Sequence, residues 1–399
     1  MTGDRILKKI SFIDGSKLAE MISYGAKELS KHTNYLNQIN FFPVPDADTG
    51  TNLTNTVLQL SNNHSSMVFA TVAQTSKAIA ESVLMSAKGN SGAILAQFFQ
   101  GLADGLKECT TANLYQFSHA VFKASQESRK AVVEPVEGTI LTVMHDWATY
   151  LKNNLSETKD FVVHLKKSQK IAEISLKNTV NQLKVLKKAK RVDAGAQGFV
   201  YLIQGFVEYL TKGYLFKQAK KEEQETYFHP DLDFKNTKYK YCTEVLIVGE
   251  NINKEQIKKE LMPIGDSLIV IGSSQKVKIH VHTDRPEFVF ELAQRYGQSA
   301  QEKVDDMYQQ VRDVELSKKQ KICLVVDSVC NLEPSVLEKY NIHWMPLRVR
   351  LGNVNHYDSL TISSERFFNE MAKQKAVPQT SQVTVKDAER LLRSVQERG

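Results

Sequence analysis

From Asp14 to about Gly213 the apolar residues recur at helical spacing. Leu18, Met21, Ile22, Ala26 and Leu29 lie on one face, as do Ile94, Leu95, Phe98, Phe99, Leu102 and Leu106. The segment 71–87 is rich in Ala and Ser, which suits a helix packed closely on its neighbours. Further helices are predicted over 114–132, 139–151, 160–186 and 194–210. The first part of the chain, residues 1–213, therefore reads as an all-α bundle with its site on loops at one end.

The period then changes. Residues 214–237, with Lys217, Lys220, Lys221 and Pro230, read as a linker. Beyond it, 240–248, 267–271 and 277–281 are short and β-branched, while 254–261 and 286–296 are helical, which predicts a small α/β domain over 238–302. A polar connector is expected at 303–319. The remainder, 320–399, opens with a buried-strand pattern at 322–326, a helix at 334–340, a strand at 344–350 and a helix at 363–373. This third α/β unit reads as incomplete, because too little sequence follows to close a typical sheet. The fold class expected is thus multidomain: all-α, then small α/β, then a partial α/β unit.

Composition narrows the class. Hydrophobic residues at 42% and charged residues at 24% mark a folded rather than disordered chain. No run approaches the ~18 apolar residues of a membrane span, and the start, Met1 to Arg5, lacks a secretory apolar stretch. Cys109, Cys242, Cys323 and Cys330 form no disulfide framework. A cytoplasmic location is expected. The net charge of +7 is concentrated in 152–191 and is not interleaved with aromatics, so no specific nucleic-acid partner is expected. Those lysines read as a solvated helix face, or as an attraction for nucleotide or for peripheral contact with an anionic membrane surface.

The sharpest chemical signal is 40–52, Asn40-Phe41-Phe42-Pro43-Val44-Pro45-Asp46-Ala47-Asp48-Thr49-Gly50-Thr51-Asn52. Two prolines disfavour helix, so Asp46 and Asp48 stand on a rigid loop at i, i+2 and can address one hard cation. Mg²⁺ takes few protein carboxylates and completes its octahedron with phosphate and water. The helix opening at Thr49, Gly50, Thr51 and Asn52 offers N–H groups to a phosphate; the alternative is an Asx-turn with Asp48 as cap. Gly89, Asn90, Ser91 and Gly92 form a second small-residue helix start. Loops at 134–139, ending at Thr139, and at 191–198, with Asp193 and Gly195, are a third and a fourth, where plain capping is the simpler account of each alone. Together they form a consistent rim for a nucleotide.

In the middle part His280 and His282 project from one face of a strand. With Cys242 they suit Zn²⁺ if their strands are neighbours; for His-x-His alone, ordinary partly buried histidines are the simpler account.

The first two hundred residues resemble the nucleotide-binding L subunit of bacterial dihydroxyacetone kinase, and more closely the kinase domain of bacterial fatty acid kinase. The strings that carry the likeness are Asn40–Asn52, Ser86–Gly92, Glu134–Thr139 and Val192–Gly198, in the same order. The resemblance implies an antiparallel helical barrel that binds ATP and Mg²⁺, with Asp46 and Asp48 as metal ligands and Asn40 as third ligand or orienting residue. It implies Thr51, Asn52, Ser91 and Gly92 near the phosphates, and Asp193 with Gly195 closing the adenosine side. Ala47, Ser86, Lys88 and Ala196 depart from the glycines and arginine of that pattern. The middle part resembles that of fatty acid kinase over Tyr241-Cys242-Thr243-Glu244 and His280-Val281-His282-Thr283, which implies a metal or functional role for Cys242, His280 and His282, or one His acting on the acyl carboxylate.

The third unit resembles the opening of DegV-type fatty-acid-binding proteins over 326–332, 346–349 and 378–382, which implies Thr380 and Ser381 near a fatty acid carboxylate. The function expected is phosphorylation of a fatty acid, bound in cis or on a separate DegV-type carrier, to an acyl phosphate. The alternatives are a dihydroxyacetone (glycerone) kinase-like phosphotransferase and a non-catalytic adaptor that senses nucleotide. Relatives of this type suggest a homodimer.

Overall fold

The computed structural model describes residues 9–212 apart from Val44 and Asn63, residues 238–316, and most of 322–392. The connector expected at 214–237 lies outside the described residues.

The N-terminal domain is helical: α1 (Gly15–Lys31), α2 (Thr33–Gln38), α3 (Thr49–Asn62), α4 (Val72–Ser86), α5 (Gly89–Leu106), α6 (Leu114–Ala131), α7 (Ile140–Asn153), α8 (Phe161–Gln182), α9 (Lys184–Ala189) and α10 (Ala194–Lys212). The pair β1 (Phe12–Ile13) and β2 (Ala112–Asn113) ties the beginning of the domain to the start of α6. One continuous helix was expected over 160–186. Leu183 instead adopts extended angles (φ −112°, ψ 125°) and separates α8 from α9. The helical stripes meet in a core around Phe98, Phe99, Trp147 and Phe199, all fully buried. The Trp147 indole N–H donates to Ser168 Oγ at 2.9 Å, so the one polar atom of the largest core side chain is satisfied.

The middle domain is an antiparallel four-stranded sheet, order β4 (Gly265–Gly272), β5 (Lys276–Thr283), β3 (Tyr241–Val248), β6 (Gln298–Asp306). Helices α11 (Lys254–Leu261) and α12 (Pro286–Tyr296) cover one face through Val245, Ile247, Val277, Ile279 and Val281. The other face turns to the helical domain. Ile269 and Ile271 enter that domain's core, Val133 N–H donates to Leu268 O at 3.2 Å, and Gly272 N–H donates to Gln97 Oε1 at 3.2 Å.

The polar segment expected as a connector at 303–319 is corrected here. It carries the end of β6 and then α13 (Met307–Leu316). β6 is an edge strand with a single well-buried apolar side chain, Val304, so it lacks the alternation by which strands are recognised.

In the third unit β7 (Val325–Asp327) runs parallel to β8 (His343–Met345) across α14 (Pro334–Lys339). The single strand expected at 344–350 is split at Pro346 into β8 and β9 (Arg348–Leu351). β9 pairs with β10 (Val354–Tyr357) and with β11 (Gln379–Ser381), and α15 spans Ser364–Gln374. No helix among the described residues is long and apolar enough to cross a membrane.

Candidate functional site

The Pro-flanked loop and the starts of α3 and α5 form one wall of a cleft, and the inward face of the middle-domain sheet forms the other. Asn40, Asp46, Asp48, Thr49, Asn52, Gly89, Asn90 and Ser91 line the first wall. Cys242, His280, His282, Lys303 and Asp305 line the second. The cavity volume is about 40 Å³. That is room for a small cation and a few oxygen atoms, so a nucleotide must lie mostly beyond it.

On the first wall, buried Asn40 donates from Nδ2 to Asp46 Oδ1 at 2.6 Å, which fixes that carboxylate. Asn40 Oδ1 is itself buried with no hydrogen-bond partner. A buried acceptor is costly unless a cation or donor meets it, and hard cations suit an amide oxygen beside carboxylate residues. Ala47 between the two Asp residues has φ 55°. Here the departure from glycine has a cost, roughly 1 kcal/mol for an L-residue in left-handed backbone. Ala196, buried within α10, carries no such cost.

At the start of α3 one of the expected donors is already used, since Thr51 N–H donates to Asn37 Oδ1 at 3.0 Å. The bond from Asn52 N–H to Asp48 O at 2.8 Å is the first of the helix's own ladder. Gly50 packs on α2, where an added Cβ would lie 2.1 Å from Thr33 O. Gly50 and Thr51 thus serve the packing of α3, and Thr49 and Asn52 face the cleft. Gly89, at φ 61°, lies against the Asn52 side chain, where an added Cβ would meet Nδ2 at 2.5 Å. Gly92 packs on Thr56 in the same manner and does not line the cleft.

The four helix starts are contiguous. A Cβ on Gly195 would lie 2.8 Å from Ser91 Oγ and 3.4 Å from Ile140 Cβ, so the starts of α5, α7 and α10 meet. Thr139 and Asp193 nevertheless act as caps. Thr139 Oγ1 accepts from Leu141 N–H. Asp193 accepts from Ala196 N–H at 2.8 Å and from the backbone of Ile140, tying two helix starts with one carboxylate. Burial pushes the Asp193 carboxyl up to about 7.

On the second wall the sheet register sets residues in rows: His282–Cys242–Asp305, then His280–Glu244–Lys303, then Lys278–Leu246–Gln301. All share one face, because side chains alternate along each strand. The candidate ligand atoms of Cys242, His280 and His282 lie within 4.8 Å of one another, and all three residues are buried. His280 Nδ1 stands 3.2 Å from Glu244 Oε1, and His282 Nδ1 stands 3.4 Å from Asp266 Oδ1. Each imidazole thus has a carboxylate behind it, the usual support of a metal-binding histidine. His280 Nε2 is buried and has no partner. The donor set fits a zinc-like cation.

Burial pushes the Cys242 thiol well above its ordinary value, with Glu244, Asp305 and Asp48 adding to the effect against Lys303. Burial would likewise raise Glu244, but Lys303, Lys278 and His280 overrule it and hold the carboxyl well below the usual range. Burial draws His280 and Lys278 down. Lys303 Nζ lies 2.5 Å from Asp305 Oδ2. Lys278, Lys303 and Asp305 do not stand out in the sequence as site residues, and Glu244 appears there only as the end of the Tyr241–Glu244 string. Parity is a further signal for two of them, since Glu244 follows Cys242 by two and Lys278 precedes His280 by two.

Thr380 and Ser381 lie exposed on β11, paired to Val349 and Arg348 of β9, and do not join the cleft.

Comparison with known proteins assigns the parts to families. Residues 43–208 match the DAK2 domain, residues 238–314 the FakA-like middle domain of fatty acid kinase, and residues 321–399 the DegV family of uncharacterised proteins. An uncharacterised protein of Staphylococcus saprophyticus is 37% identical over 316 residues, and one of Staphylococcus haemolyticus is 36% identical over 317. Each alignment covers 76% of this chain and 57% of the relative, so the chain spans little more than half of the proteins it matches. The crystal structure of the dihydroxyacetone kinase of C. freundii aligns with 48% of this chain and 34% of its own, at TM-score 0.39 and 18% identity, too low to carry weight here. In order along the chain, the three parts thus match the DAK2 domain, the FakA-like middle domain and the DegV family.

Proposed function

We propose that this chain is an ATP-dependent phosphotransferase that phosphorylates the carboxylate of a fatty acid, presented in cis or by a DegV-type carrier. The observation that carries the reading is the two-walled cleft. It sets Asp46, Asp48 and the unpartnered Asn40 Oδ1 opposite Lys303 and the Cys242, His280 and His282 cluster. The order of kinase-type and fatty acid kinase-type domains supports it.

Asp46 and Asp48, with Asn40, would hold Mg²⁺, which when bound neutralises phosphate charge. Cys242, His280 and His282 would hold Zn²⁺, a Lewis acid toward a carboxyl or phosphoryl oxygen. Thr49, Asn52, Asn90 and Ser91 would orient the phosphates from the helix starts, with Gly89 admitting them close to backbone. The acceptor carboxylate is already ionised at neutral pH, so its oxygen attacks the γ-phosphorus and ADP leaves without a general base. Lys303 stands where it can offset the negative charge that gathers there.

The test is ATP consumption with long-chain fatty acid or with dihydroxyacetone, each with and without an added DegV-type carrier. Lipid-dependent consumption is expected. Consumption that needs dihydroxyacetone would reassign the acceptor, and none at all would leave a nucleotide-sensing adaptor. Metal analysis of the purified chain is expected to find about one zinc, lost in Cys242→Ser; an equal content in the variant would remove zinc from the scheme.

A further inference from the structure

The turn between α4 and α5 contains two non-helical residues, Ala87 and Lys88, followed by Gly89 at φ 61°. The first N–H groups of a helix need partners from outside it. Lys88, in the capping position, makes no side-chain cap bond. The partner comes from another domain: Gly89 N–H donates to Glu244 Oε1 at 2.6 Å, 155 residues along the chain. One peptide earlier, Ala87 O accepts from Lys278 Nζ. Glu244 and Lys278 are 4% and 5% exposed and lie 3.7 Å apart, so the turn is held on both sides by a buried ion pair. The same Glu244 oxygen reaches His280 Nδ1 at 3.2 Å and links the turn to the Cys242, His280 and His282 cluster.

We propose that Glu244 and Lys278 are positioning residues through which the middle domain sets the glycine turn of the helical domain, and with it Asn90 and Ser91 in the cleft. Charged groups make short, directional bonds to backbone. A buried ion pair gains little stability over an apolar pair of like volume, so its value lies in where it holds things. A mere adhesive between domains would act on the whole contact, including the Val133–Leu268 and Gly272–Gln97 bonds. A positioning pair acts on residues 88–91. The consequence for phosphate binding rests on the function proposed above; the hold on the turn does not.

Hydrogen exchange of the full chain without nucleotide tests it. Glu244→Leu with Lys278→Met removes both charges together, and Glu244→Gln with Lys278→Met returns a neutral acceptor to Gly89. The first pair is expected to speed exchange at residues 89–91 about 10-fold or more, as loss of a charge-assisted bond implies. The body of α5 and strand β4 should stay unchanged, and the second pair should restore protection at Gly89. Unchanged exchange at 89–91, or loosening spread over the interface that Gln fails to reverse, would overturn the proposal.

The isosteric Glu244→Gln variant alone guards against a folding failure. In protein labelled with ¹⁵N-glycine, the Gly89 amide proton should move upfield in this variant, and no movement would overturn the assignment. In the Glu244→Leu with Lys278→Met pair the KM for ATP is expected to rise about 10-fold, and in the Glu244→Gln with Lys278→Met pair to recover, following the same lost bond. A loosened turn with KM unchanged would uphold the positioning role and overturn the phosphate reading of the turn.

Discussion

Replacing Asp48 or Asp46 by Ala is expected to cut ATP turnover by roughly 10³-fold, the scale of losing a preorganised charge at a transferring phosphoryl group. The fold should survive either change. What Asp48 gives to α3 is its backbone carbonyl, bonded to Asn52 N–H, and alanine keeps it. Asp46 gives a half-buried carboxylate to Asn40, and its loss leaves that buried amide donor unpaired, at about 1–3 kcal/mol. Thermal unfolding close to wild type for Asp48→Ala, modestly lowered for Asp46→Ala, together with vanished turnover in both is the expected set of results. Turnover within ~10-fold of wild type in both variants would show that these carboxylates hold no essential cation, and the phosphotransferase reading would fall.

The loop that carries these carboxylates is legible in sequence because proline and glycine constrain backbone locally, whatever the tertiary setting. The helices of the first domain are legible for a related reason. Each buries one stripe, so period 3.6 is written into Leu18, Met21, Ile22 and Leu29. β6 is not legible, because Lys303 and Asp305 face a polar cleft while the strand sits at the sheet edge. Such a strand satisfies charge rather than burying hydrocarbon, and its pattern is that of a linker. The second wall is half visible for the same reason. Cys242, His280 and His282 stand out by chemistry, whereas Glu244 and Lys278 look like surface residues until a second domain covers them. Burial by a distant partner leaves no period in the local sequence.

The Asp193 carboxylate carries the other large expectation, a dependence of stability on pH. Its folded value of about 7 lies above the 3.8 of an ordinary Asp, because burial disfavours the charged form more than its backbone donors favour it. A group raised on folding contributes stability that is full below the unfolded value and is lost as pH rises through the folded one. Between about pH 4 and 7 wild type therefore gives up stability that an uncharged residue would keep. The loss is on the order of 3–4 kcal/mol, since each tenfold difference in proton affinity between the folded and unfolded chain is worth about 1.4 kcal/mol. Asp193→Asn preserves the acceptor for Ala196 N–H and cannot ionise. Relative to wild type, the Asn variant should gain in unfolding free energy by that amount as pH goes from 4 to 8. Glu28, held down to about 2 by the His32 bond, loses its contribution only as pH falls below about 4.5, and it is common to both proteins. The difference between the two denaturation curves thus isolates Asp193. A flat difference across that range would mean that the carboxylate is ionised at ordinary cost, with the starts of α7 and α10 outweighing burial. Asp193 would then be a charged cap open to an anion-repelling role at the mouth of the bundle, rather than a neutral tie between two helices.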